Sequence, residues 1–136
     1  MPFDLQWDDE HHTTLRIDIR DPATWEQYHD VITQVVEQIQ RVSYRVDIII
    51  HDDGKIPSGG DAVSHLKASI SQLASCPNLG LVVTVHQNPF ARAILDLALR
   101  LLRKQGGHFG GFADSLDTAR QIVAKNRALS ENLESS

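Results

Sequence analysis

The stretch from Val46 to Gly60, VDIIIHDDGKIPSGG, constrains the fold more than any other part of the chain. Asp47 is followed by Ile48, Ile49 and Ile50, a continuous β-branched run that suits a strand covered on both faces. His51, Asp52, Asp53, Gly54 and Lys55 form a polar exit loop. Ser58-Gly59-Gly60-Asp61 then reads as a capped helix start, because the Ser58 hydroxyl can accept from the free amides of a first turn. A buried strand that leads through a polar loop into a helix is the repeating unit of an open α/β sheet. The carboxyl end of such a strand is where these folds meet ligands and partners.

The flanking segments fit that frame. Phe3, Leu5 and Trp7 alternate with polar residues, and after Asp8-Asp9-Glu10-His11 the alternation resumes at Leu15, Ile17 and Ile19. Two period-2 runs on a short polar link predict an antiparallel pair with one solvated face. Asp21-Pro22 predicts a helix start, and Trp25, Tyr28, Ile32, Val35, Val36, Ile39 and Val42 make one apolar stripe that should lie on the sheet. A second helix carries Val63, Leu66, Ile70 and Leu73 and stops near Cys76-Pro77-Asn78; a buried strand follows from Leu81 to Val85. Asn88-Pro89 opens a third helix with Phe90, Ile94, Leu97 and Leu101 inward and Arg100, Arg103 and Lys104 in its last turns, ended by Gly106-Gly107. A short strand from His108 to Phe112 leads to a last helix from about Asp114, with Leu116, Ala119, Ile122 and Val123 inward.

The expected order is β-β-α-β-α-β-α-β-α. It implies one α/β domain over residues 1–129, with a mixed, largely parallel sheet, an antiparallel N-terminal edge strand and about four helices on both faces. Residues 130–136 are too poor in apolar side chains to order and are expected as a disordered tail.

Composition removes several function classes. A chain of 136 residues with 41% hydrophobic content can bury a core without staples, and one cysteine, Cys76, offers neither a disulfide framework nor metal-ligand spacing. A net charge of -5 lacks the cationic excess that nucleic acid or an anionic membrane surface rewards. No apolar run approaches the roughly 20 residues that span a bilayer, and the first residues, MPFDLQWDDE, carry no basic-then-apolar leader pattern. The expectation is a cytoplasmic protein in a reducing compartment, with no membrane insertion, no nucleic-acid partner and no cofactor.

In element order and spacing the chain from Leu15 to Val123 resembles the STAS domain, the fold of bacterial anti-sigma-factor antagonists. LRIDIRDPATWEQYHDVITQVV is similar to that family's second strand and first helix. VDIIIHDDGKIPSGG is similar to its central strand and the loop that carries an Asp-Ser-Ser-Gly or Asp-Thr-Ser-Gly motif, and VVTVHQNPFARAILDL with FADSLDTARQIV is similar to its late strand and closing helices. The resemblance implies a non-catalytic regulatory module whose partner is a protein: an anti-sigma factor, a kinase, a sensor protein or a second copy in a homodimer. It implies docking at Asp52, Asp53, Lys55, Ser58, Gly59, Gly60 and Asp61, and Ser58 falls where the family is phosphorylated. Ile56 and Pro57 replace the motif's Asp and second hydroxyl residue, and Gly60 replaces an apolar one. The expectation is therefore a divergent member without the normal phosphoswitch, in which Ser58 serves as helix cap.

A second class is a small-molecule sensor or carrier for an apolar or nucleotide ligand, with Trp25, Tyr28, His51, His86 and Phe90 as candidate lining residues. His51 and His86 both end central strands, so with Asp52, Asp53 and Ser58 they also admit a hydrolase or metal reading. No Gly-x-Ser-x-Gly elbow and no paired-His helix spacing accompanies them, and neither catalytic residues nor metal ligands are expected.

Overall fold

The structure, a computed structural model, describes residues 3–19, 24–52, 62–85 and 112–135. The expectations for Asp53, Lys55, Ser58, Gly59, Gly60, Asp61, His86 and Phe90, and for the helix after Asn88-Pro89, lie outside them. The described elements are β1 (Phe3–Trp7), β2 (Thr14–Ile19), α1 (Trp25–Gln40), β3 (Val46–Asp52), α2 (Ala62–Ala74), β4 (Leu79–Val85), β5 (Phe112–Ala113) and α3 (Leu116–Ser135). The strands form one five-stranded sheet in the order β1-β2-β3-β4-β5. β1 runs antiparallel to β2, with Phe3 opposite Ile19 and Trp7 opposite Leu15, and every other pairing is parallel. The fold is thus α/β with a mixed sheet.

Alternation along the strands sorts the residues onto two faces. Leu15, Ile17, Ile19, Val46, Ile48 and Val82 pack with Trp25, Tyr28, Val31, Ile32, Val35, Val36 and Ile39 of α1 and with Leu73 of α2. Ile49, Leu81, Val83 and Val85 pack on the other face with Ala119 and Val123 of α3. Helices on both faces explain why β3 and β4 are apolar without alternation, with Ile48, Ile49 and Val83 all fully buried.

α1 begins three residues later than Asp21-Pro22 suggests. Thr24 is its cap: the hydroxyl accepts from Gln27 N at 3.1 Å, and the Gln27 side chain accepts from Thr24 N at 3.0 Å. This reciprocal capping box satisfies two otherwise orphaned amides and outcompetes the earlier start. At the other end Asn78 Nδ2 lies within 3.1 Å of the carbonyls of Ile39, Val42 and Tyr44, so the segment after α2 closes the exposed end of α1. α3 runs on through Ser135, over the residues expected as a disordered tail; no Gly or Pro interrupts the sequence from Leu116 to Ser135.

The β1–β2 pair departs from the expectation of one solvated face. Thr14 and Asp18 of β2 are buried, and so is Asp47 of β3. The polar side of β2 is filled by charged side chains that bond one another.

Candidate functional site

β2 and β3 are parallel and in register, with Asp18 beside His51 and Ile19 beside Asp52. β2 ends at Ile19 and β3 at Asp52, so His51 and Asp52 stand at the carboxyl edge of the sheet, directly ahead of residue 53. His51 Nδ1 lies 3.0 Å from Asp18 Oδ1. The second carboxylate oxygen accepts from Arg16 Nε and from Gln6 Nε2, each at 3.0 Å. Burial alone would raise the Asp18 carboxyl, but the bonds from Arg16, His51 and Gln6 outweigh it and hold the group below the usual aspartate range.

From Asp18 the network continues away from the edge. Arg16 also pairs with Asp8, which receives Arg120 of α3 through Nε at 2.9 Å and Nη2 at 2.8 Å. Desolvation at Asp8 is outweighed by these two guanidinium partners, so its carboxyl too lies below the usual range, and the Asp8 bond pushes Arg120 up. Asp9 closes the β1–β2 turn by accepting from Thr13 N at 2.8 Å, Thr14 N at 2.9 Å and the Thr13 hydroxyl. That turn puts His12 at φ 54°, the left-handed region, with its ring stacked on Trp7 at 4.9 Å.

Asp47 is the centre of a second cluster at the amino end of the strands. Its Oδ1 accepts from Arg45 Nε at 2.9 Å and from the amide of Leu81 at 2.7 Å, and Oδ2 accepts from Arg127 Nε at 2.6 Å. Arg127 further bonds the Thr13 hydroxyl and carbonyl, both at 2.6 Å, so α3 grips β3 and the β1–β2 turn together. Gly80 makes this possible, since a Cβ there would occupy the space of Asp47 Oδ1 and Arg45 Nε. Between the two clusters a cleft of ≈ 490 Å³ opens, floored by Ile49 and Val123 and walled by Asp8, Asp9, Arg120 and Arg127.

Trp25 and Tyr28, expected as ligand-lining, are buried in the α1 face. Tyr28 meets Phe3 at 6.3 Å, Trp25 stacks on His65 of α2 at 4.7 Å, and the His65 ring bonds His29 at 2.9 Å. They do not border the ≈ 490 Å³ cleft. Cys76 is buried at the end of α2, where burial raises its thiol despite a bond with Ser75. Among the described residues no group of three or more His, Cys, Asp or Glu is placed to hold a metal ion, and no helix is long and apolar enough to cross a membrane.

Asp18, Asp8, Arg16, Asp47, Arg120 and Arg127 were not singled out by the sequence reading. One signal was present: Arg16-Ile17-Asp18 within β2 and Arg45-Val46-Asp47 at the entry to β3 are both Arg-x-Asp, and residues two apart in extended chain share a face. A basic and an acidic residue on one face neutralise each other and can be buried together.

Fold and site define a class: an α/β protein with a mixed sheet and a charge-paired carboxyl edge. No family model matches the chain, and no curated protein and no solved structure matches it either.

Proposed function

We propose that the protein is a STAS-like regulatory module that docks a protein partner at the carboxyl edge of its sheet, constitutively and without a phosphorylated Ser58. The observation that carries this is the strand order β1-β2-β3-β4-β5 with an antiparallel first pair and a parallel remainder, in which β3 delivers His51 and Asp52 to the edge just ahead of residues 53–61. The departures at Ile56 and Pro57 from the family's phosphorylated motif support the constitutive form. An affinity capture from the native cell, with the Asp53→Ala/Ser58→Ala double variant as control, tests it. Recovery of a kinase or anti-sigma factor that the variant loses supports the reading, and equal recovery with both proteins overturns it. Stoichiometric phosphate on Ser58 after incubation with extract and ATP would overturn the constitutive form alone.

The cleft between the sheet and α3 supports a second reading, a small-molecule sensor or carrier. Its apolar floor of Ile49 and Val123 and its charged walls suit a ligand with one apolar and one polar end. A copurifying ligand in native mass spectrometry would favour this reading.

A further inference from the structure

His51 is an ionisable side chain held in place at the carboxyl edge. Asp18, 8% exposed, faces it across the β2–β3 register. An ionised carboxylate only accepts hydrogen bonds, so the nitrogen facing it at 3.0 Å, Nδ1, carries the proton. In the neutral ring the lone pair then belongs to Nε2. No bond to Nε2 occurs among the described residues, and 35% of the side chain is open to solvent. Asp18 is itself fixed by Arg16 and Gln6 on its other oxygen, which holds the acceptor in place for Nδ1.

This arrangement has a chemical consequence. A carboxylate on one ring nitrogen stabilises the positive ring that forms when the other nitrogen takes up an electrophile. Two of the carboxylates on this side of the sheet, Asp8 and Asp18, are matched by Arg16 and Arg120, which lowers their repulsion of an anionic reagent.

We propose that His51 Nε2 is a phosphoryl-acceptor site for small phosphoryl donors with a good leaving group, with Asp18 as its positioning residue. The Nε2 lone pair forms a bond to phosphorus as the bond from phosphorus to the leaving group breaks, its electron pair departing with that group. With phosphoramidate in its zwitterionic form, neutral ammonia leaves. Nδ1 keeps its proton, and the positive charge on the ring is met by Asp18. A phosphoryl group there adds about −1.5 to −2 charges to the edge assigned above to docking. The chemistry does not depend on that assignment, because it is measured on the protein alone.

The test treats the full chain with phosphoramidate and maps phosphate by peptide mass spectrometry at neutral pH over time, since phosphohistidine is acid-labile. His11 and His12, exposed on the β1–β2 turn, are internal controls for unassisted histidines. His51 is expected to be labelled roughly tenfold or more faster than His11, although it is less exposed. Asp18→Asn should bring its rate down to that of His11 with the circular dichroism spectrum unchanged, and Asp18→Glu should restore part of the difference. Labelling of His51 no faster than His11 in the native protein overturns the proposal, and needs no variant to fold. A ratio unchanged by Asp18→Asn overturns the role of Asp18.

Discussion

The two faces of the sheet are held by different physics. Under α1 the contact is mainly hydrocarbon: Leu15, Ile17 and Ile48 from the strands meet Ile32, Val35 and Ile39, all nearly or fully buried. Under α3, among the described residues, the apolar contact is smaller, with Ile49, Leu81, Val83 and Val85 against Leu116, Ala119, Ile122 and Val123, and it is joined by Arg120 on Asp8 and Arg127 on Asp47. Dispersion and desolvation are non-directional and tolerate small shifts. Paired charges in a dry setting fix angle and register, and they fail abruptly when one partner is removed.

The sharpest way to break this contrast is Asp47→Ala. It removes the buried carboxylate that accepts from Arg45, Arg127 and the Leu81 amide, and the expected loss in urea unfolding is about 3–5 kcal/mol. Ile32→Ala, which empties a fully buried site on the other face, is expected to cost about 2–5 kcal/mol by the same measurement. A loss below about 1 kcal/mol for Asp47→Ala would place it with ordinary surface pairs and erase the difference between the faces.

Acid separates the faces further. Asp8, Asp9 and Asp18 lie below the usual carboxylate range in the folded protein. Their contribution is therefore complete above the unfolded-chain value near pH 4 and is lost as pH falls through the lower folded values. Thermal melts on the acid side should fall steeply in the native chain. Asp8→Asn should flatten that limb, while Ile32→Ala should lower the whole curve and keep its shape. The smallest effect belongs to the cap of α1: Thr24→Ala should cost about 1 kcal/mol, with Thr24→Ser restoring most of it in the same melts.

Much of the apolar face was legible in the sequence, because periodicity reports burial directly. The alternation at Leu15, Ile17 and Ile19 and the stripe from Trp25 to Ile39 are where the structure has β2 and α1. The charged face was not legible. Asp18 and Asp47 look like solvated positions until their partners are known, and those partners include His51 in another strand and Arg127 in the last helix. Pairing across such distances leaves no local pattern beyond the repeated Arg-x-Asp. The start of α1 was misjudged for a different reason: Asp21-Pro22 is a good start signal, but the Thr24-Gln27 box satisfies more of the backbone.

The strand order has a consequence for how the chain is made. Every described strand lies beside its predecessor, so the sheet can lengthen strand by strand during synthesis, each addition needing only what has already emerged. Asp47 breaks this self-sufficiency. Its second guanidinium arrives 80 residues later, and the same arginine reaches back 114 residues to Thr13. Until α3 docks, Arg45 and the Leu81 amide alone meet the Asp47 carboxylate, and its second oxygen waits for Arg127. The Asp47 charge on β3 is thus met in two steps, by Arg45 beside it and by Arg127 of α3, 80 residues later.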